Sequence, residues 1–141
     1  LLASACWDGS FRLHDTASRS PVLAHAMESG PLLSLAIPPT ADYIATGGLD
    51  GSIRLLDLES SVSTLVGQHR AAGSTETKQA CSCLVSLDEE ESTILASAGW
   101  SRKLHIWDVR EQNCVSQLEL PGKAFAMDVD KDRGRIVVAT S

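Results

Sequence analysis

The sequence has few of the features that mark nucleic-acid-binding or membrane proteins. Its Lys and Arg residues are scattered, and its net charge is −6 with a pI near 5.1, which argues against nucleic-acid binding through a basic patch. No apolar run approaches the roughly twenty residues of a membrane span. The Leu1–Cys6 run is too short for a signal peptide and lacks a basic flank. We therefore predict no direct nucleic-acid partner and no membrane partner.

Cysteine is also scarce, and its spacing does not suggest a metal site. Among Cys6, Cys81, Cys83 and Cys114, only Cys81 and Cys83 are close together. On an alternating strand both of their side chains would point to one face, but no second pair or His-x-x-x-His completes a zinc site. Buried free thiols in a reducing compartment are expected, which indicates the nucleus or cytosol. We predict no metal and no cofactor.

The residue types of enzyme sites do not form a pattern either. The sequence contains no nucleophile motif and no glycine-rich phosphate loop. The run Glu89–Glu91 lies on a predicted turn, where adjacent carboxylates have no fixed geometry around a substrate. The four histidines lie on four separate predicted elements: His14, His25, His69 and His105. We predict that the chain is not an enzyme.

An alternating acidic run near the end of the chain begins like a calcium loop. It consists of Asp128, Asp130 and Asp132. The EF-hand pattern requires Gly at position six and Glu at position twelve, where this sequence has Arg133 and Ala139. A solvated hairpin loop is the better interpretation.

The chain does contain a recurring fifteen-residue pattern. An apolar strand, a tight turn and a second strand closing on Asp occur at Leu1–Asp15, Tyr43–Asp57 and Ile94–Asp108, and a fourth copy is predicted to begin at Val137. The starts at 1, 43, 94 and 137 give spacings of 42, 51 and 43 residues. Asp-Gly between two apolar runs is a strong hairpin signal, and no stretch shows helical periodicity. Short strands with a period in the low forties are typical of a WD-repeat β-propeller.

The predicted fold is therefore all-β, a partial WD-repeat propeller of four-stranded antiparallel blades. We predict the end of a blade over 1–27, full blades over 28–68 and 69–120, and the start of a blade over 121–141. Gly67–Ala80 is interpreted as an inserted surface loop that explains the longest spacing, and Asp88–Ser92 as an acidic hairpin loop. Propellers close with about four to eight blades, so roughly three and a half repeats are expected to be part of a larger ring.

The ends of the repeats resemble the WD-repeat family, whose repeats close on Trp-Asp. Here they read His14-Asp15, Leu56-Asp57 and Trp107-Asp108. From the residues themselves, we expect the three closing Asp side chains to cap the turns that follow them.

The family often has a buried network of His, Ser or Thr, Asp and Trp in each blade. The resemblance implies His69 as one network histidine, with Ser101 where the turn Asp would be. In the blade of Asp50, it implies Glu28 at the histidine position and Leu56 at the Trp position. No blade then keeps the whole network, and apolar packing is expected to carry more of the stability.

Several segments, in their order, resemble the Bub-type WD-repeat subunit of the mitotic spindle checkpoint, a seven-bladed family. They are CWDGS (Cys6–Ser10), GGLDGS (Gly47–Ser52), LVGQH (Leu65–His69), GWSRK (Gly99–Lys103) and LPGKAFAMDV (Leu120–Val129). The alternatives are the related Rae-type propeller of messenger-RNA export and nuclear pores, or another generic WD-repeat scaffold. The resemblance implies a scaffold that binds a GLEBS motif of checkpoint kinases and brings them to a phosphorylated kinetochore scaffold. It also implies residence in the nucleus, at kinetochores in mitosis and in the cytoplasm.

The resemblance places the peptide on the turns between the second and third strands of each blade. The expected contacts are Trp7, Leu49 and Trp100, because large apolar side chains on exposed turns suit binding hot spots. The charged residues beside them are expected to set the register of the peptide: Asp8, Asp50 and Arg102. The alternative is that each Trp fills the central channel or packs on the next blade. Residues that read phosphate are expected in blades outside this sequence.

Overall fold

The computed structural model describes residues 1–38, 42–71, 76–87 and 94–141. Every regular element among them is a β-strand, so the described chain has no helix that could cross a membrane. The strands are β1 (Leu2–Ala5), β2 (Ser10–Asp15), β3 (Ser20–Ala26), β4 (Leu32–Ala36), β5 (Tyr43–Gly48), β6 (Ser52–Asp57), β7 (Ser63–Gln68), β8 (Cys81–Ser86), β9 (Ile94–Gly99), β10 (Lys103–Asp108), β11 (Asn113–Glu119), β12 (Ala124–Asp130) and β13 (Arg135–Thr140).

These strands form four antiparallel sheets in which each strand pairs with its neighbours in sequence. The first sheet is β1-β2-β3, the second β4-β5-β6-β7, the third β8-β9-β10-β11 and the fourth β12-β13. Alternating apolar residues and tight turns favour such meanders, because each hairpin closes locally. The all-β prediction of four-stranded antiparallel blades, arranged as a partial propeller, is confirmed.

The sheets pack against each other through three clusters of buried apolar side chains. The first and second sheets meet at Phe11, Ile44 and Leu56, which are 0%, 0% and 1% exposed. A second cluster, which includes Ile53 and Leu95, joins the second and third sheets. A third joins the third and fourth sheets. Strand β4 contacts β8, and β8 contacts β12, so the first strands of successive sheets lie side by side. This is how blades stack around a propeller axis.

Two kinds of connection, turns within the sheets and connections between successive sheets, lie together at one end of the sheets, which we call the upper end. It carries the turns β1–β2, β5–β6 and β9–β10 together with the connections between successive sheets. Backbone hydrogen bonds tie the two kinds together: the amide of Leu49 donates to the carbonyl of Pro31 at 2.8 Å, and that of Trp100 to Ala80 at 3.0 Å. Residues predicted to bind a peptide therefore lie at one end of the molecule.

The closing Asp of each repeat caps the turn that follows, as predicted. Asp15 accepts from the amide of Ala17 at 2.8 Å, Asp57 from that of Ser60 at 2.6 Å, and Asp108 from the amide of Arg110 at 2.9 Å. These hydrogen bonds favour the charged carboxylate and lower the pKa of Asp15 and Asp57. The Asp in each repeat is thus explained by local backbone chemistry.

The fourth copy of the repeat begins at Arg135, two residues earlier than predicted. In the fourth sheet Ala124 pairs with Thr140 and a bulge follows, just as Cys81 pairs with Gly99 in the third. Thr140 therefore corresponds to Gly99. The short run VVATS fits both registers by its apolar-then-small pattern, and only strand pairing distinguishes them.

The Gly67–Ala80 segment is not wholly the surface loop that the sequence suggested. Strand β7 continues through Gln68, and His69 and Ala80 are 0% and 3% exposed. The amide of Gln79 donates to the carbonyl of His69 at 3.1 Å, which brings the two ends of the segment together. Positions 72–75, like the predicted acidic loop at 88–92, lie outside the described residues.

The expectation that Cys81 and Cys83 share a face is wrong. A bulge at Ser82 breaks the alternation of β8, so Cys81 packs between the second and third sheets and Cys83 between the third and fourth. Burial raises the pKa of the Cys81 thiol to about 12, which keeps it protonated. Cys114 was also expected to be buried, but it is exposed because β11 is the outermost strand of its sheet.

The acidic run near the end of the chain forms a hairpin, as interpreted from the sequence. Asp128 and Asp130 lie on β12, and the chain turns over 131–134 into β13. The amide of Arg133 donates to Asp130 at 3.3 Å. Among the described residues no group of His, Cys, Asp and Glu is arranged to hold a metal ion.

Candidate functional site

Trp7 is the most exposed of the predicted contact residues. Its side chain is 67% exposed on the β1–β2 turn. The adjacent Asp8 accepts from the amide of Ser10 at 2.9 Å and from its hydroxyl at 2.6 Å, and Arg12 donates to the other carboxylate oxygen at 2.7 Å. These bonds, the Ser10 hydroxyl above all, lower the pKa of Asp8. The indole is thus presented by a turn that the hydrogen bonds of Asp8 with Ser10 and Arg12 stabilise.

The β5–β6 turn repeats this geometry with a smaller apolar residue. Asp50 accepts from the amide of Ser52 at 2.9 Å and from its hydroxyl at 2.6 Å, while Leu49 is half-buried. The side-chain amide of Gln68 donates to the Asp50 carbonyl at 3.2 Å. In both Asp-Gly turns the carboxylate therefore holds its own turn, which leaves less of it to contact a ligand than the sequence suggested.

Trp100, on the β9–β10 turn, is held differently. Its ring is half-buried, and the ammonium group of Lys123 lies 5.6 Å from the ring centroid, which is a cation–π distance. The indole nitrogen is buried and has no hydrogen-bond partner among the residues that the structure describes. Arg102, two residues later, is exposed and has a left-handed backbone with φ of 58°. Sequence reasoning missed Lys123, although its position just before an inner strand could have placed it at the upper end.

A buried hydrogen-bonded network lies beneath the Trp100 turn. His69 joins Ser101 through Nδ1 at 2.9 Å and Ser97 through Nε2 at 2.8 Å. The indole of Trp107 donates to the hydroxyl of Ser97 at 2.7 Å. When the His69 proton is on Nδ1, every donor in this network has an acceptor: Trp107 donates to Ser97, Ser97 to His69 and His69 to Ser101. As predicted, the network lacks its Asp, but the third sheet still keeps a connected network because the Ser101 hydroxyl takes the place of the Asp carboxylate.

Burial makes this network neutral. Desolvation first, then the charges of His105 and Lys103, lowers the pKa of His69 to about 3. The ring of His105 meets that of His69 edge-on with centroids 4.5 Å apart, and burial lowers its pKa too. A serine suits a neutral histidine, because no charge on the imidazole needs a carboxylate to balance it.

Glu28 does not occupy the histidine position of the second sheet; Met27 does. The amide of Met27 donates to the Gly9 carbonyl at 2.9 Å, just as the amide of His69 donates to Gly51 at 2.8 Å. Met27 is 6% exposed and packs in the cluster that contains Leu56, whereas Glu28 is exposed. The second sheet thus replaces the polar network by apolar packing, and the expected assignment of Glu28 is wrong by one residue.

The predicted contact residues lie on three separate turns of neighbouring sheets rather than in one closed pocket. A cavity of about 350 Å³ lies near the opposite end of the inner strands, where its lining includes Leu35, Val85 and Asp128. None of the predicted contact residues lines it. The upper end can therefore offer an extended surface that suits a peptide better than a small molecule.

Comparison with known proteins agrees with this architecture. Residues 19–57 match the WD domain, G-beta repeat family. The chain is 28% identical over 140 residues to the mitotic checkpoint protein bub-3 of Caenorhabditis elegans, covering 93% of the chain and 36% of that protein. It is 25% identical over 130 residues to a poly(A)+ RNA export protein of Schizosaccharomyces pombe, covering 90% and 35%. It is 22% identical over 131 residues to protein Rae1 of Drosophila melanogaster, covering 92% and 36%. The chain spans about a third of the length of these relatives.

Proposed function

We propose that this chain, a WD40-repeat protein of the Bub and Rae type, binds a GLEBS-type peptide of checkpoint kinases at its upper end. Protein binding is the general role of a WD-repeat scaffold, and none of the three relatives compared above is named as an enzyme. What we propose beyond this general role is the identity of the peptide, a GLEBS-type motif, and of the checkpoint kinases that carry it. The name of the Caenorhabditis elegans relative, a mitotic checkpoint protein, supports this choice.

The exposed indole of Trp7 is the single observation that carries the proposal. A side chain of this size that is 67% exposed on a hydrogen-bonded turn offers a large apolar contact at little cost in conformational entropy. Trp100 and Leu49 present smaller apolar areas on the equivalent turns of the next two sheets. An extended peptide that crosses the three turns would meet an apolar side chain on each sheet.

In this proposal, the charged residues beside the apolar contacts set the position of the peptide along the surface. Arg102 is exposed and free of described ion pairs, so it can meet an acidic group of the peptide. Asp8 and Asp50 contribute mainly by fixing the turns, since their carboxylates already accept hydrogen bonds from Ser10 and Ser52. We further propose that the bound kinase is carried to a phosphorylated kinetochore scaffold through other blades of the protein.

Peptide-binding measurements test the site. With the full-length protein and a fluorescent GLEBS peptide, the double variant Trp7→Ala, Trp100→Ala should weaken binding at least tenfold, about 1.4 kcal/mol. Val115→Ala is the matched control, because Val115 is 62% exposed but lies on the outermost strand of the third sheet. Thermal unfolding of each variant checks that the fold is retained. Equal affinity of the double variant and the control would exclude these turns as the peptide site.

A role in messenger-RNA export is the second candidate, favoured by the similarity to the export protein of Schizosaccharomyces pombe and to Rae1. Imaging of the tagged protein separates the two. Concentration on unattached kinetochores in mitosis supports the checkpoint role. Residence at the nuclear envelope in interphase, without kinetochore signal in mitosis, supports the export role.

A further inference from the structure

Ser20 and Pro21 form the one Ser-Pro or Thr-Pro dipeptide in the sequence. They begin strand β3, the outermost strand of the first sheet, and both side chains are exposed. Among the described residues β3 pairs with β2 alone, so its other edge is open. The dipeptide therefore lies in extended chain at an accessible edge, at the opposite end of the sheet from Trp7.

The start of β3 is weakly attached to its sheet. Pro21 has no amide hydrogen to donate to the ladder. The pairs Leu13–Leu23 and His14–Pro21 leave Val22 outside the register as a bulge. Because few backbone hydrogen bonds must break, the segment from Ser20 to Val22 can separate from β2 without unfolding the sheet. An enzyme that needs an extended peptide can therefore reach it.

The hydroxyl of Ser20 ends a short hydrogen-bonded chain. It lies 2.7 Å from the hydroxyl of Ser18, which donates to Asp15 at 2.8 Å. Since the Ser18 proton goes to the carboxylate, Ser20 donates to Ser18. The other oxygen of Asp15 accepts from the amide of Ala17 at 2.8 Å. The turn between β2 and β3 thus depends on the Asp15 carboxylate, which accepts from the Ser18 hydroxyl and the Ala17 amide, and Ser20 bonds the carboxylate only through Ser18.

We propose that Ser20 is phosphorylated by a proline-directed protein kinase and that the phosphate opens the Asp15 turn. The Ser20 oxygen attacks the γ-phosphorus of ATP, the bond to the bridging oxygen of ADP breaks, and the hydroxyl proton passes to the base of the kinase. The phosphate adds about 1.5 to 2 negative charges at neutral pH. It also removes the hydrogen that Ser20 donates to Ser18.

The phosphate and the Asp15 carboxylate repel each other, because only Ser18 lies between them. The turn at Asp57 provides an internal comparison. Asp57 accepts from the amide and hydroxyl of Ser60, but Ser61 is followed by Val62 and no proline. A kinase that requires proline should modify the first turn and leave the second untouched.

The test combines phosphate mapping with hydrogen exchange. The full-length protein is incubated with a purified proline-directed kinase and ATP, and phosphate is located by mass spectrometry. We expect phosphate on Ser20, none on Ser60 or Ser61, and at least a tenfold slower reaction for Pro21→Ala. A synthetic peptide of residues 16–25 serves as the unfolded reference. Modification of this peptide without modification of the folded protein would overturn the site.

Exchange of the Ala17 amide tests the structural consequence. Phosphorylation should speed its exchange, because the hydrogen bond to Asp15 is lost, while the Ser60 amide at the second turn stays unchanged. Ser20→Ala, which removes the hydroxyl without adding charge, should have a smaller effect on Ala17. Equal exchange of Ala17 with and without phosphate would contradict the opening of the turn.

Discussion

The network beneath the Trp100 turn can be compared directly with the apolar packing at the same place in the second sheet. Ser97 pairs with Leu84 as Thr46 pairs with Leu35, so the two hydroxyls occupy equivalent positions. Ser97 is 0% exposed and bonds both Trp107 and His69. Thr46 is 1% exposed and makes one long bond, 3.4 Å, to the Arg54 carbonyl.

Ser97→Ala should therefore be far more costly than Thr46→Val. The alanine leaves the indole N–H of Trp107 and the Nε2 of His69 buried without partners. Each such group costs about 1–3 kcal/mol, so we expect a loss of about 2–4 kcal/mol in the free energy of unfolding. Thr46→Val removes one long bond from surroundings that are already apolar, and should cost less than about 1 kcal/mol.

Urea unfolding of the full-length protein, followed by circular dichroism, measures both variants. Both the midpoint of the transition and the dependence of the free energy of unfolding on urea concentration are measured. The second quantity is needed because a protein of several blades can unfold in steps, and its value then changes. Ser101→Ala provides a graded third point, because it removes one partner of His69 at the edge of the network. If Ser97→Ala costs no more than Thr46→Val, the hydrogen bonds beneath Trp100 do not stabilise the third sheet.

Three further predictions follow from named contacts. The folded pKa of His69, about 3, lies below the unfolded value near 6.5, so its contribution to stability is present above pH 6.5 and is lost as the pH falls towards 3. Urea unfolding between pH 7 and pH 4 should show this loss. In the His69→Met variant, the free energy of unfolding should change less with pH, and a pH dependence equal to that of the wild type would contradict the prediction. Gly67→Ala should destabilise by about 1–3 kcal/mol, because a Cβ there would overlap the ring of Trp107; thermal unfolding measures it, and wild-type stability would refute the contact. Gln112 has a left-handed backbone with φ of 50°, so Gln112→Gly should leave stability unchanged or raise it by up to about 1 kcal/mol; a clear loss in the same assay would contradict the strain.

Local chemistry in the sequence predicted the strands closely. The Asp-Gly turns at Asp8 and Asp50 and the alternation on β6 and β10 place each hairpin within a residue or two of its observed bounds. These signals succeed because a hairpin closes over few residues and its turn dictates its register. The caps at Asp15 and Asp57 were predictable for the same reason, since an Asp that accepts from amides two or three residues later needs no distant partner.

The candidate site was predictable only in part. Its three turns follow from the repeat, so Trp7, Leu49 and Trp100 could be placed at one end of the molecule. The ammonium of Lys123 on the Trp100 ring could not be predicted, because 22 residues of strand and turn separate the two. Side-chain exposure, 67% for Trp7 against a half-buried Trp100, also depends on how neighbouring sheets pack.

The sequence by itself determined that the chain is all-β and built from repeated hairpins, since periodicity and turn chemistry act over a few residues. Tertiary structure alone decided which residues share an interface. The bulge at Ser82 sends Cys81 and Cys83 to different clusters, strand pairing sets the fourth copy at Arg135, and Met27 rather than Glu28 faces Leu56. The physical reason is that a shift of one residue along a strand exchanges its two faces and a shift of two residues keeps them, so that only strand pairing and contacts between sheets select the register.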